Sequence, residues 1–256
     1  MSGRAAAADL ELAERAARAA GEVLLERFRG PARGVDPKSS ATDLVSDADR
    51  AAERRIAEML ATERPDDGLL AEEGAEASGT SGRRWLVDPL DGTTNYLYAY
   101  PAWSVSVALE DEQGGLVGVV HDPARGETFV ASRGRGAQLN GEPIGVSRHD
   151  RLDTALIATG FGYASELRAA QASSLVSILP RVRDLRRGGS AALDLAWLAC
   201  GRLDGYFERG LKLWDWGAGR LLVAEAGGVV EELAGEPPGL VAAGPELVKK
   251  LRRLVE

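Results

Sequence analysis

Leu10, Ala13, Ala17, Ala20, Leu24 and Phe28 recur at three- and four-residue intervals with charged residues between them. That spacing predicts one long amphipathic helix over the first 28 residues. The stretch that follows carries Gly30, Pro31, Gly34 and Pro37, which argue for irregular chain up to Ser46. A second helical period runs through Ala48, Ala51, Ala52, Ile56, Met59 and Leu60 to residue 62. Asp47 precedes it, but the residue three positions later is Arg50, so no capping box is expected and an Asp or Ser cap is left. Short apolar runs at 68–71 and 85–87 each end in acid, the first in Glu72-Glu73 and the second in Asp88. Residues 103–110, 115–121 and 127–131 read as a meander of strands, with Gly134-Arg-Gly136 and Asn140-Gly141 as turns. Beyond residue 150 the pattern alternates. Strands are predicted at 155–158, 182–186, 204–208, 229–232 and 239–243, and helices at 164–179, 190–200, 215–226 and 245–255. Such an order predicts an α/β chain of sheets covered by helices, in two lobes, 1–148 and 149–256.

Composition narrows the chemistry. The 256 residues are 45% hydrophobic and 27% charged, ordinary values for a globular chain. A net charge of −8 speaks against a broad nucleic-acid surface and leaves room only for a local basic patch. Cys200 is the single cysteine, so an intrachain disulfide and a CxxC zinc site are excluded, and its apolar surroundings suggest packing. With two histidines, His121 and His149, any metal must be held mainly by oxygen, which favours a hard cation such as Mg²⁺ or Ca²⁺. No apolar run reaches the length of a membrane span, and the N-terminus lacks the basic head and apolar core of a signal peptide. A cytoplasmic location without membrane partners is the resulting expectation.

The acids collect in three places. Trp85-Leu-Val-Asp88 delivers a carboxylate to a strand end, Pro89 ends regular pairing, and Asp91 puts a second carboxylate on the same turn. Gly92 gives a ligand access to the backbone, and Thr93-Thr94-Asn95 begins a helical turn whose first N–H groups suit an anion. Two acids beside an anion site repel a phosphate unless a cation bridges them. Should the strands ending in Glu72 and Asp88 be neighbours, these two acids could share one metal. Farther on, Glu208 ends a strand, and Asp215, at the start of a helix, is followed by the slim Gly217-Ala-Gly219. Asp91 and Asp215 also fit plain helix caps, and Glu72 and Glu208 fit ordinary edge acids.

In order and spacing these strings resemble the Mg²⁺-dependent inositol monophosphatases of the lithium-sensitive phosphatase superfamily. The resemblance rests on Lys38 to Asp49, Ala71-Glu72-Glu73-Gly74, Asp88-Pro-Leu-Asp-Gly-Thr-Thr-Asn95, Gly189-Ser-Ala-Ala-Leu193, and Trp214-Asp215-Trp-Gly-Ala-Gly. Ala71 stands where Gly is usual, and Gly74 where Ser or Thr is common. The resemblance implies a layered αβαβα sandwich, a homodimer and two or three Mg²⁺ ions. It implies Glu72, Asp88, Asp91, Asp215 and the Leu90 carbonyl as metal ligands, and the Gly92 and Thr93 N–H groups as the phosphate grip. Glu72, Thr93 and Asp49 would serve the attacking water. Asp91, Gly189, Ala191, Glu208 and Asp215 would face the substrate, and Lys38 would ride a loop near the metals or else be a solvated lysine.

The activity so implied is hydrolysis of a small phosphorylated polyol or sugar, inositol monophosphate first, by water rather than through a covalent enzyme intermediate. Fructose 1,6-bisphosphate, histidinol phosphate and adenosine 3′,5′-bisphosphate are the competing substrates, with Arg186 and Arg187 available for a second phosphate. A regulatory binding subunit is the non-enzymatic alternative.

Overall fold

Five alternating layers of helix and sheet make up the computed structural model, which describes residues 3–30, 33–38 and 44–256. The outer layer on one side is α1 (Gly3–Leu25) and α2 (Asp47–Glu63), preceded by the paired dipeptides β1 (Asp36–Pro37) and β2 (Leu44–Val45). That pairing interrupts a stretch predicted to be irregular throughout, and residues 31–32 and 39–43 of it lie outside the described residues. The second layer is an eight-stranded sheet: β3 (Gly68–Ala71), β4 (Glu76–Ala77), β5 (Arg84–Asp91), β6 (Ser104–Asp111), β7 (Gly114–Asp122), β8 (Glu127–Ser132), β9 (Ala137–Leu139) and β10 (Glu142–Pro143). Between β5 and β6 lies the single-turn α3 (Thr93–Leu97). The spatial order is β10-β9-β8-β7-β6-β5-β3-β4, with only the β3–β5 pair parallel.

After β11 (Leu156–Thr159) come α4 (Ser165–Ile178), β12 (Asp184–Arg186), α5 (Ala191–Ala199), β13 (Gly205–Arg209), α6 (Leu213–Glu225), β14 (Val229–Leu233), β15 (Gly239–Ala243) and α7 (Pro245–Val255). Their strands form a five-stranded sheet ordered β12-β11-β13-β15-β14, and α5 and α6 fill the middle layer between the two sheets. The last layer is α4 and α7. This is the expected mixed α/β sandwich.

The layering follows from which faces are apolar. α1 turns Leu12, Ala13, Ala16, Ala17, Ala20 and Leu24 inward, all fully buried against the large sheet. α5 is buried almost all round, as a helix between two sheets must be. α6 crosses β7 closely enough that a Cβ on Gly118 would lie 2.9 Å from the Ala218 carbonyl oxygen. Phe28, Tyr96 and Trp103 pack ring to ring at centroid distances of 5.1–5.4 Å. The Tyr96 hydroxyl donates to the Leu24 carbonyl at 2.7 Å, so α3 is pinned to the end of α1. Asn140 and Gly141 both take positive φ in the turn from β9 to β10, as their pairing predicted.

Where α1 meets β7, His121 is buried, with Nδ1 2.9 Å from the Thr128 hydroxyl. Burial, then the nearby Arg18 charge, lowers its pKa to about 4 from the ordinary 6.5. The unfolded chain therefore binds a proton near pH 6.5 that the folded chain refuses until about pH 4. Stability should fall across that window by up to about 3 kcal/mol. Urea unfolding at pH 7 and pH 4.5 should show a smaller acid loss for His121→Gln than for the unsubstituted protein; equal losses would exclude the histidine as the cause.

Candidate active site

Glu72 and Asp88 become neighbours through strand register. β3 and β5 run parallel with Leu69 opposite Trp85 and Ala71 opposite Val87, and the Glu72 N–H donates to the Val87 carbonyl at 3.1 Å. The next residue on each strand is then the acid. Pro89 was expected to end the pairing, but β5 continues through an irregularity. Asp88 faces Ser106 and Asp91 faces Ser104, so three steps on β5 match two on β6. The extra residue is a bulge, which re-aims side chains that a regular strand would send to opposite faces. The Leu90 N–H folds back onto Asp88 Oδ1 at 3.0 Å.

Gly92 follows in the left-handed region, at φ 97°. A Cβ there would press on the Ala102 and Gly189 carbonyl oxygens at 3.0 and 3.2 Å, so conformation and space both call for glycine. Thr93, buried, begins α3, and its hydroxyl lies 2.9 Å from Asp49 Oδ1 and 3.1 Å from the Leu90 carbonyl oxygen. Asp49 is fully buried in the first turn of α2. The absence of a capping box reckoned from Asp47 is corrected here. Ser46 is the cap, its Oγ accepts from the Ala48 N–H, and its own N–H donates to Asp49 at 3.0 Å. The box lies one position earlier, with Asp in the place of the usual Glu, and it fixes the carboxylate that meets Thr93.

The second set of residues comes from across the middle layer. Asp215 stands at the start of α6, as expected, but as its third residue rather than as the plain cap that was the alternative, and it accepts from the Lys212 N–H at 2.6 Å. Glu208 lies within β13 and accepts from the Tyr206 hydroxyl at 2.6 Å. Lys38, Glu72, Asp88, Leu90, Asp91, Gly92, Thr93, Gly189, Ala191, Glu208 and Asp215 all line one cavity of about 370 Å³, with Asp49 behind Thr93. Of the two arginines considered for a second phosphate, Arg187 lines this cavity, whereas Arg186 pairs with Asp184 on the surface.

Sequence reasoning missed what holds Asp91. Its Oδ2 accepts from the Ser190 hydroxyl and from the Ala192 N–H, each at 2.7 Å. Ser190 also caps α5, and a serine directly before an apolar helical run is a signal that was available. Tyr206 as partner of Glu208 left no such signal.

The cavity is electrostatically unfinished. Burial and then the neighbouring carboxylates raise the pKa values of Asp88 and Asp215 well above the ordinary range. Asp91 is raised too, by burial, against the opposing bonds from Ser190 and the α5 backbone. The Lys38 ammonium sits against Glu72 Oε1 at 2.8 Å and Glu73 Oε1 at 2.5 Å, and despite burial those two acids raise its pKa. As the side chains stand, no three Asp, Glu, His or Cys among the described residues form a ready ligand sphere. Each acid instead leans on a local donor: Lys38, the Leu90 N–H, Ser190 or the Lys212 N–H. Crowded, all-oxygen acids with raised pKa values and an ammonium lodged among them fit a hard divalent cation.

The inositol monophosphatase family model matches residues 7–255. The chain belongs to the inositol monophosphatase family. Among family relatives, it is 40% identical to the Nus factor SuhB of Escherichia coli K12 over 249 residues, 94% of this chain and 93% of that protein. The native crystal structure of the extragenic suppressor protein suhB from Bartonella henselae superposes with a TM-score of 0.92 at 38% identity, covering 97% of this chain and 98% of that one. An inositol monophosphatase from Anabaena (Nostoc) sp. PCC 7120 gives 0.83 at 36% identity, over 96% and 94% of the two chains. The family supports a phosphatase, and no helix among the described residues is long and apolar enough to cross a membrane.

Lys38→Met leaves Glu72 and Glu73 without their counter-charge. Without divalent cation the variant should lose about 1–3 kcal/mol in urea unfolding, and saturating Mg²⁺ should recover most of it. An unchanged metal-free stability would show that the ammonium does not offset the acids.

Proposed function

We propose that this chain hydrolyses a small phosphate monoester, inositol monophosphate first, and that it does so with Mg²⁺. The observation that carries the reading is the opening of Glu72, Asp88, Asp91 and Asp215 onto one cavity beside the Gly92–Thr93 turn. Glu72, Asp88, Asp91, Asp215 and the Leu90 carbonyl would hold two or three ions. When bound, Mg²⁺ neutralises phosphate charge, acidifies water and stabilises the leaving alkoxide.

The chain's own residues do the rest. The Gly92 and Thr93 N–H groups, at the start of α3, are offered to the phosphate oxygens. Thr93 donates its hydroxyl proton toward Asp49 or the Leu90 carbonyl, which leaves its oxygen lone pairs to receive a hydrogen from water. Glu72 orients the same water from the opposite strand. The water oxygen forms the new P–O bond as the P–O bond to the alcohol breaks; the water's proton leaves to solvent on the Glu72 side, and the alcohol oxygen takes a proton from a solvent water on the Asp215 side. Glu208, with Gly189 and Ala191, faces the alcohol's hydroxyls. Its pKa is pushed up to about 7 by burial, against the Tyr206 bond. A neutral polyol suits that end of the cavity better than a second phosphate, although Arg187 keeps sugar bisphosphates among the substrates to be assayed.

A homodimer is proposed from the far layer. In α4 the buried residue is Ile178, while Val176 is 78% exposed and Leu179 just after it 51% exposed. Apolar side chains so placed gain from a second copy. The name Nus factor, carried by the E. coli relative, raises a separate binding role, which needs none of the four acids.

Asp88→Asn tests the reading. Phosphate release from inositol monophosphate should fall by more than about 100-fold, while thermal unfolding shows the fold retained. Equal rates in both proteins, or no release by the unsubstituted protein from any of the four candidate substrates with Mg²⁺, would end the phosphatase reading. Light scattering should give twice the chain mass for the unsubstituted protein and the single mass for Val176→Glu/Leu179→Glu; a monomer throughout would end the dimer reading.

A further inference from the structure

Asn95 closes the Asp88–Asn95 string, yet the phosphatase reading gives it no task. Its side chain bridges segments from the two halves of the chain. Nδ2 donates to the Ala102 carbonyl at 2.6 Å, beside the start of β6, and to the Gly188 carbonyl at 2.9 Å, in the turn before α5. One amide group therefore ties the phosphate-side turn to a residue 93 positions away in the other half of the chain.

On the side facing the phosphate-side turn, Asn95 holds the Gly188 carbonyl, while the Gly188 backbone also bonds Asp194 in α5. Gly189 is left-handed at φ 91°, and a Cβ there would lie 2.8 Å from Asn95 Nδ2, so glycine admits the amide. The turn leads directly into Ser190 and Ala192, which grip Asp91, and it carries Gly189 and Ala191 on the cavity wall. The Gly189 carbonyl in turn approaches the position where a Cβ on Gly92 would stand. The two walls of the cavity thus meet at two clips. Ser190 fastens to Asp91, and Asn95 fastens to Gly188.

We propose that Asn95 is a positioning residue that sets the substrate-side wall, Gly189 and Ala191, in register with the phosphate-side turn through its bond to the Gly188 carbonyl. The inference rests on the phosphatase reading for its kinetic consequence and on the hydrogen bonds alone for its structural one. The residues assigned to water and to most of the metal binding, Glu72, Asp88, Thr93 and Asp49, are anchored within the first half of the chain and make no bond to Asn95 among the described residues. Loosening the clip should therefore weaken the hold on the alcohol part of the substrate and leave turnover of bound substrate largely intact.

Asn95→Ala and Asn95→Asp test this together. Asp fills the same space but sets carboxylate oxygens against two carbonyls, so it rescues a packing role and not a donor role. With inositol monophosphate and Mg²⁺, both variants should raise KM by roughly ten- to a hundredfold. Both should hold kcat within about threefold. Hydrogen exchange, which needs no activity, should quicken at residues 187–192 in both variants while the strand carrying Asp88 stays as protected as before. Unchanged KM in a folded Asn95→Ala, or recovery by Asp, would overturn the proposal. If the unsubstituted protein releases no phosphate, the phosphatase reading fails. Exchange then decides the clip alone: unaltered exchange at 187–192 overturns it, and quickened exchange upholds it.

Discussion

Repulsion among carboxylates is the constraint on which the rest of this structure depends. Asp88, Asp91 and Asp215 are held within one cavity with Glu72 at its edge, and none of the three has an arginine or lysine as its ion-pair partner among the described residues. Bringing such groups together opposes folding, so the surrounding architecture has to hold them. The parallel register of β3 and β5, the bulge after Asp88, the capping box of α2 and the grip of α5 on Asp91 are the devices that do so. Under the proposed function, a divalent cation bound there would offset this repulsion and gain affinity from it.

The sandwich makes the convergence geometric. Most of the acids come from the large sheet and the turns at its strand ends, and Asp215 comes from a helix packed between the sheets. Because α6 lies flush on β7 at Gly118, the first turn of that helix is brought alongside the bulge of β5. The substrate wall is contributed by the start of α5 and the end of β13. Under the proposed function, phosphate chemistry and alcohol recognition would fall to different layers, with the seam between them at Asn95 and Ser190.

Much of this was legible in the residues. The 2.0 and 3.6 periods marked the longer strands and helices but not the two- and three-residue strands β1, β2, β4, β9 and β10, and β15 and α7 end where the pattern ends. Glu72 and Asp88 were legible because each closes an apolar run, Asp91 because it follows on the same turn and Asp215 because it opens a helix, and the resemblance to the family supplied their assembly. Three things were not legible. The bulge between Asp88 and Asp91 depends on pairing with β6, which no local pattern encodes. The cap of α2 at Ser46 rather than Asp47 turns on a one-residue choice between two good caps. The grip of Ser190 and Ala192 on Asp91 joins residues about 100 positions apart, beyond the reach of periodicity.

The central claim is that these acids form a divalent-cation site. Titration of the purified protein with Mn²⁺, followed by electron paramagnetic resonance, measures free and bound ion directly. The account predicts saturable binding of two or more ions per chain, lost in large part in Asp91→Asn that remains folded. Mn²⁺ left free throughout the titration, or bound equally by protein and variant, would contradict it.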